Sequence, residues 1–184
     1  MLGFADEVWF SRLAQPALHA WTAGAALRLG LHPAERTEPD PKALACYGLW
    51  RPVRERMLLR FVDGRPVSRA TCASLAWVAE QLAAEAVRVL TLIWDNASWP
   101  ISREVRAWIR MHNRAVKRTG HGCRVLICRL PSKSPWLNPI EPKWMHGKRA
   151  IVEPERKLTS AELKQRLCGH YRCQLLPPLA QQVS

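Results

Sequence analysis

Three carboxylates stand out by their place in the chain: Asp6 within an apolar stretch, Asp95 directly behind another, and Glu141 after the rigid run Ser134-Pro135-Trp136-Leu137-Asn138-Pro139-Ile140. A carboxylate on or just beyond a hydrophobic strand is costly unless it is paired, hydrogen-bonded or bound to metal. Three brought together repel one another unless a cation intervenes. Oxygen-only ligands suit Mg²⁺ or Mn²⁺, and two such ions about 3.5 to 4 Å apart can stabilise both the attacking and the leaving oxygen of a phosphodiester displacement. Taken singly, each acid also fits an ordinary cap or turn, and spacing alone leaves that choice open.

The elements that must position these acids are legible from periodicity. Phe4 to Phe10 alternates as a strand does, with Phe4, Asp6, Val8 and Phe10 on one face and Ala5, Glu7 and Trp9 on the other, so Asp6 and Glu7 diverge. Residues 15–42, rich in Pro, Ala and Gly, read as an irregular connection with room for one short helix. Ala43 to Trp50 and Met57 to Val62 read as two strands able to pair as a hairpin, the second closing on the turn signal Asp63-Gly64. Cys72, Leu75, Ala76, Ala79, Leu82, Ala83 and Ala86 form one helical stripe. The run Val87 to Trp94 reads as a central strand covered on both faces, and it ends at Asp95.

A second helix is expected from Ser102, its cap, to about Arg118, with Val105, Trp108, Ile109, His112 and Val116 inward. Cys123 to Leu130 is a further strand, and a helix follows near Ile140 to Lys148. Thr159-Ser160-Ala161-Glu162 is a capping-box pattern that opens a last helix through about Tyr171, with a loose tail from Pro177. The order is three strands, helix, strand, helix, strand, helix. If the first and fourth strands are neighbours, Asp6 and Asp95 come within a few ångströms, and a helix starting near Pro139 can swing Glu141 onto them.

Phe4-Ala5-Asp6-Glu7-Val8-Trp9-Phe10, Leu92-Ile93-Trp94-Asp95-Asn96-Ala97-Ser98-Trp99 and the block from Leu130 to Trp144 resemble the three signature blocks of a known family. They are similar to those of the DDE transposases of the bacterial insertion-sequence six-thirty family, relatives of the mariner elements. The resemblance runs from residue 3 to about 157. It implies an α/β, ribonuclease-H-like fold: a mixed five-stranded sheet of order 3-2-1-4-5 flanked by helices, with residues 1–157 as catalytic domain and 158–184 as C-terminal helix and tail. It also implies that Asp6, Asp95 and Glu141 are the catalytic, metal-holding triad. The activity implied is cleavage of a phosphodiester at a transposon end by water, leaving a 3′-hydroxyl that later attacks target DNA. Asn96 and Asn138 are candidates for support, Asn96 orienting Asp95 and Asn138 fixing the turn before Glu141, with plain turn roles as the alternative.

Charge points to the same kind of partner. The chain has 184 residues, 28 Lys+Arg against 15 Asp+Glu, and a formal net charge of +13, a balance that favours a polyanion through counterion release. No apolar run approaches the ~18 residues of a membrane span, and the N-terminus lacks the basic region of a signal peptide. A cytoplasmic, nucleoid-associated protein with six reduced, buried cysteines is expected. On the second helix Arg103, Arg106, Arg110, Arg114 and Lys117 recur as one ridge opposite the apolar stripe. That ridge is either a solvated face or a DNA contact. Lys133, Lys143, Lys148 and Arg149 flank Glu141 and are placed to meet phosphates.

The family's helix-turn-helix domains precede the first catalytic strand, whereas Met1 lies just ahead of Asp6. A separately encoded DNA-binding half is therefore an expected partner, and bringing two transposon ends together implies a homodimer. The alternative is a truncated, inactive transposase remnant that binds DNA non-specifically.

Overall fold

The computed structural model describes residues 1–13, 19–21, 23, 26–28, 39–94, 102–131, 134–153 and 156–179. Strand β1 (Leu2–Ser11) is followed by two short strands, β2 (His19–Trp21) and β3 (Ala26–Arg28), then β4 (Ala43–Arg51) and β5 (Arg56–Val62). Helix α1 (Ser68–Ala84), β6 (Val89–Trp94), α2 (Arg103–Thr119), β7 (Arg124–Arg129), α3 (Ile140–Ala150) and α4 (Ser160–Tyr171) complete the order. The main sheet runs β5-β4-β1-β6-β7. With the short pair set aside, this is the 3-2-1-4-5 order expected of the ribonuclease-H-like fold.

β1 is central because both of its edges are used. It pairs antiparallel with β4, Asp6 opposite Gly48, and parallel with β6, Ala5 opposite Trp94. Its alternation feeds two cores. Val8 and Phe10 join Ile140 and Trp144 of α3 and Leu163 and Leu167 of α4 on one face. Ala5 packs with Leu75, Val78 and Leu82 of α1 and Val105 of α2 on the other. The segment after residue 157 shares the first of these cores through Leu158, Leu163 and Leu167.

The expected hairpin of β4 and β5 is present, turned by a 3₁₀ turn at Pro52–Arg54. Ser102 caps α2 by accepting from the Val105 amide at 3.2 Å, and the Thr159–Glu162 capping box opens α4.

Four expectations are corrected. Within 15–42, His19–Trp21 and Ala26–Arg28 pair as an antiparallel ribbon that the reading of an irregular connection did not foresee, and the described residues there include no helix. Strands of three residues, His-Ala-Trp and Ala-Leu-Arg, are too short for a two-residue period to register. β6 is not covered equally on both faces: Leu90, Leu92 and Trp94 are buried, while Val89, Thr91 and Ile93 are half-buried. The tail is not loose through Leu179, which forms a parallel bridge to Val62 and exchanges hydrogen bonds with Phe61 and Asp63. The open edge of β5 offers unpaired backbone groups that the tail satisfies. Of the six cysteines, all unbridged, Cys128 on the edge strand β7 is exposed and Cys173, just past the end of α4, is half-buried.

Candidate active site

The site grows from the junction of β1 and α3. Asn138, 1 % exposed, donates from its amide to the Ala5 carbonyl at 3.2 Å, and its own side-chain oxygen accepts from the Ile140 amide at 3.4 Å. Its backbone carbonyl accepts from the Glu141 amide at 3.1 Å. One side chain thereby pins the start of α3 to the strand residue preceding Asp6. Glu141 sits in the first turn of that helix, where the positive end of the helix dipole favours a carboxylate.

A second tie lies one turn further on. Trp144 is buried at 2 % exposure and donates from its indole Nε1 to an Asp6 carboxylate oxygen at 2.9 Å. Three residues separate Glu141 from Trp144, so both project from one side of α3. Trp144 on that side meets Asp6. The indole needs Gly48 beneath it: a Cβ there would collide with the Trp144 ring. Phe10 and Tyr171 close over the ring edge-on, with centroids at 6.0 and 5.7 Å.

Asp6 itself is 8 % exposed. Burial pushes the Cys46 thiol well above its ordinary range, and the neighbouring Asp6 charge adds to that rise. The next residue after Trp94, the β6 partner of Ala5, is Asp95. Asp95, Asn96 and Lys133 lie outside the described residues. Asn138 and Trp144 thus hold the first turns of α3, on which Glu141 lies, against β1 at Ala5 and Asp6.

The basic residues fall on two layers. Lys143 is half-buried with its ammonium 4.4 Å from the Trp50 ring centre; Lys148 and Arg149 are exposed on α3. On the opposite sheet face, Arg103, Arg106, Arg110, Arg114 and Lys117 are all exposed along α2. Among the described residues none of the five is ion-paired. The rotation of α2 is fixed from beneath: Asn113 accepts from the Val125 amide at 2.9 Å and donates to its carbonyl at 2.8 Å. His112 Nε2 adds a hydrogen bond with the Cys123 carbonyl at 2.8 Å.

Trp144, Gly48 and Asn113 carry positioning roles that residue type and spacing did not single out. The place of Trp144 one turn after Glu141 is a signal for the first of them. Trp136, in the 3₁₀ turn Pro135–Leu137 ahead of α3, is 75 % exposed. No helix among the described residues is long and apolar enough to cross a membrane.

The model of the DDE superfamily endonuclease family matches residues 61–164. No curated protein sequence matches the chain. Among solved structures, the Mos1 transposase paired-end complex with left transposon end is similar with a TM-score of 0.67 at 13% identity, over 94% of this chain and 48% of that one. The Mos1 mariner paired end complex with Mn gives 0.66 at 13%, over 94% and 48%. The corresponding complex with Mg gives 0.64 at 16%, over 92% and 47%. The chain spans about half the length of these relatives, and at such identities the likeness establishes the fold. With that fold in place and the family model covering more than half of its length, the chain belongs to the DDE superfamily endonucleases.

Proposed function

We propose that the chain is the catalytic part of a cut-and-paste DNA transposase in which Asp6, Asp95 and Glu141 hold Mg²⁺ or Mn²⁺, two ions being the working number. The observation that carries this reading is the 2.9 Å hydrogen bond from Trp144 to Asp6. It fixes a nearly buried carboxylate against the helix whose first turn bears Glu141. The donor set fits a hard divalent ion, since all three groups offer carboxylate oxygens, and a carboxylate as enclosed as Asp6 calls for donors or a cation.

Bound divalent ions would neutralise charge on the phosphoryl oxygens in the transition state. The chain's own residues prepare that site. Trp144 holds the orientation of Asp6, Asn138 keeps Glu141 in register with β1, and Asn96 is assigned to orient Asp95. Lys133, Lys143, Lys148 and Arg149 hold phosphates near the scissile bond. The α2 ridge from Arg103 to Lys117 grips DNA at a distance from it; support comes from its full exposure and its lack of acidic partners among the described residues. The reaction assigned is hydrolysis at a transposon end, followed by attack of the freed 3′-hydroxyl on target DNA. Two ends must be held together, so the working unit is a homodimer. Sequence-specific reading of the ends is assigned to a helix-turn-helix DNA-binding half that works with these residues, and the protein works at the nucleoid.

Nicking and strand transfer on an end-containing duplex with Mn²⁺ or Mg²⁺ test this reading, comparing wild type with Asp95→Asn. Loss of both reactions in the variant is expected, while undiminished activity would remove Asp95 from the site. Inactivity of the wild type, even with the DNA-binding half supplied, would leave the remnant reading in its place.

A further inference from the structure

Between the β4–β5 hairpin and the outer sides of α3 and α4 lies an open cleft of about 600 Å³. Arg54 and Arg56 enter it from the hairpin, Lys143 and His146 from α3, and His170 and Arg172 from the end of α4. Among the described residues, Glu55 is the one carboxylate in its lining. Four permanent cations from three elements thus face a common space. Glu85, whose charge Arg54 and Arg56 also feel, is already taken by Arg51, whose Nη1 donates to both its oxygens at 2.8 and 2.7 Å. Converging cations repel one another, and an anion in the cleft offsets that cost.

The walls are held in place. Lys143 is stacked over Trp50, and the Tyr171 hydroxyl donates to the Lys143 carbonyl at 2.9 Å. Tyr171 also packs edge-on against Trp144, the residue that holds Asp6. Cleft and carboxylates therefore share α3, with Glu141 ahead of Lys143 and His146 along the same helix. Arginine forks from separate elements suit a chain of phosphates better than one small anion.

We propose that this cleft holds the DNA backbone next to the scissile phosphodiester, with Arg54, Arg56, Lys143 and Arg172 as its phosphate contacts. The assignment rests on the endonuclease reading above, and it adds a site on the sheet face opposite the α2 ridge.

The test is binding of a random-sequence duplex in EDTA, with affinity followed against salt concentration. In the triple variant Arg54→Gln, Arg56→Gln, Arg172→Gln, the slope of log K against log salt should become shallower by two or more, since each lost contact removes about 0.9. Affinity at low salt should fall at least tenfold. A matched triple change on other surfaces, Lys42→Gln, Arg65→Gln, Lys164→Gln, should keep the wild-type slope, and Arg→Lys at the three cleft positions should largely retain it. All three cleft residues are exposed, and unchanged thermal melting checks that the fold is intact. An unchanged slope in the cleft variant, or an equal loss in the matched control, overturns the proposal. Because no metal is present, a cleft effect without any metal-dependent cutting would remove the endonuclease reading and leave the cleft standing. Cutting with an unaltered slope would do the reverse.

Discussion

Asp6 is a charged group in the middle of the central strand, and its environment is built from parts far away in the chain. The indole N–H of Trp144 comes from 138 residues further on. Gly48 makes room for that indole from the neighbouring strand. Trp144→Phe would delete the donor while keeping an aromatic ring, though not the full volume of the indole, in the core. A hydrogen bond to a charged group contributes roughly 1.5–3 kcal/mol, so a loss of that order in urea unfolding is expected. With Asp6 in its proposed role, single-turnover cleavage should fall by about ten- to a hundredfold, the usual cost of removing a group that orients a metal ligand. Unchanged cleavage in this variant would mean that Asp6 needs no such orientation. Gly48→Ala acts from beneath, where the new methyl meets the ring. Overpacking of this kind costs about 1–3 kcal/mol, read as a lower urea midpoint, and an unaffected midpoint would show that the ring can move aside. Strand alternation alone separates Asp6 from Glu7, because a two-residue period is local. The indole and the glycine were not legible, because their meeting depends on sheet register and on how α3 crosses the sheet.

At the scale of elements, short-range patterns were readable and edge pairings were not. The capping box at Thr159 and Glu162 is a four-residue signal, and all of its bonds form within that span: the Thr159 hydroxyl accepts from the Glu162 amide at 3.2 Å, and the Thr159 amide donates to the Glu162 carboxylate at 2.8 Å. By contrast, the bridge from Leu179 to Val62 exists only because β5 is an edge, which no local pattern reports. Thr159→Ala should lower stability by about 1 kcal/mol. The box also has a pH signature. Arg156, by hydrogen bonding, together with the Thr159 amide, draws the Glu162 carboxyl down to about 2. A depressed carboxyl stabilises the fold above its unfolded value near 4.3 and loses that effect as pH falls through its folded value. Melting temperatures of wild type and Glu162→Gln should therefore differ above about pH 4.5 and converge toward pH 2. A difference that persists unchanged at pH 2 would mean that the charge of Glu162 is not what supports α4.

Across the whole molecule, a net charge of +13 is not spread evenly. The exposed α2 ridge lies over the core shared with α1, while the cleft and the basic end of α3 lie over the core shared with α4. From Arg103 to Lys117 the ridge rises by 14 residue steps, about 21 Å of helix at 1.5 Å per residue, long enough to meet several phosphates along one groove. Because the sheet stands between the two surfaces, their contributions to DNA binding should be independent and should add. Replacing Arg106, Arg110 and Arg114 by Gln should lower the slope of log K against log salt by roughly 2.7, at about 0.9 for each phosphate contact. Combined with the three cleft substitutions, the loss should approach the sum of the two separate losses. Titrations of one duplex at four salt concentrations with wild type, each triple variant and the sixfold variant would measure this. A sixfold variant no worse than either triple would mean that DNA uses one layer at a time. No change on altering the ridge would make α2 a solvated face, and the sequence periodicity that marked it would then record only the need to keep charge away from the core.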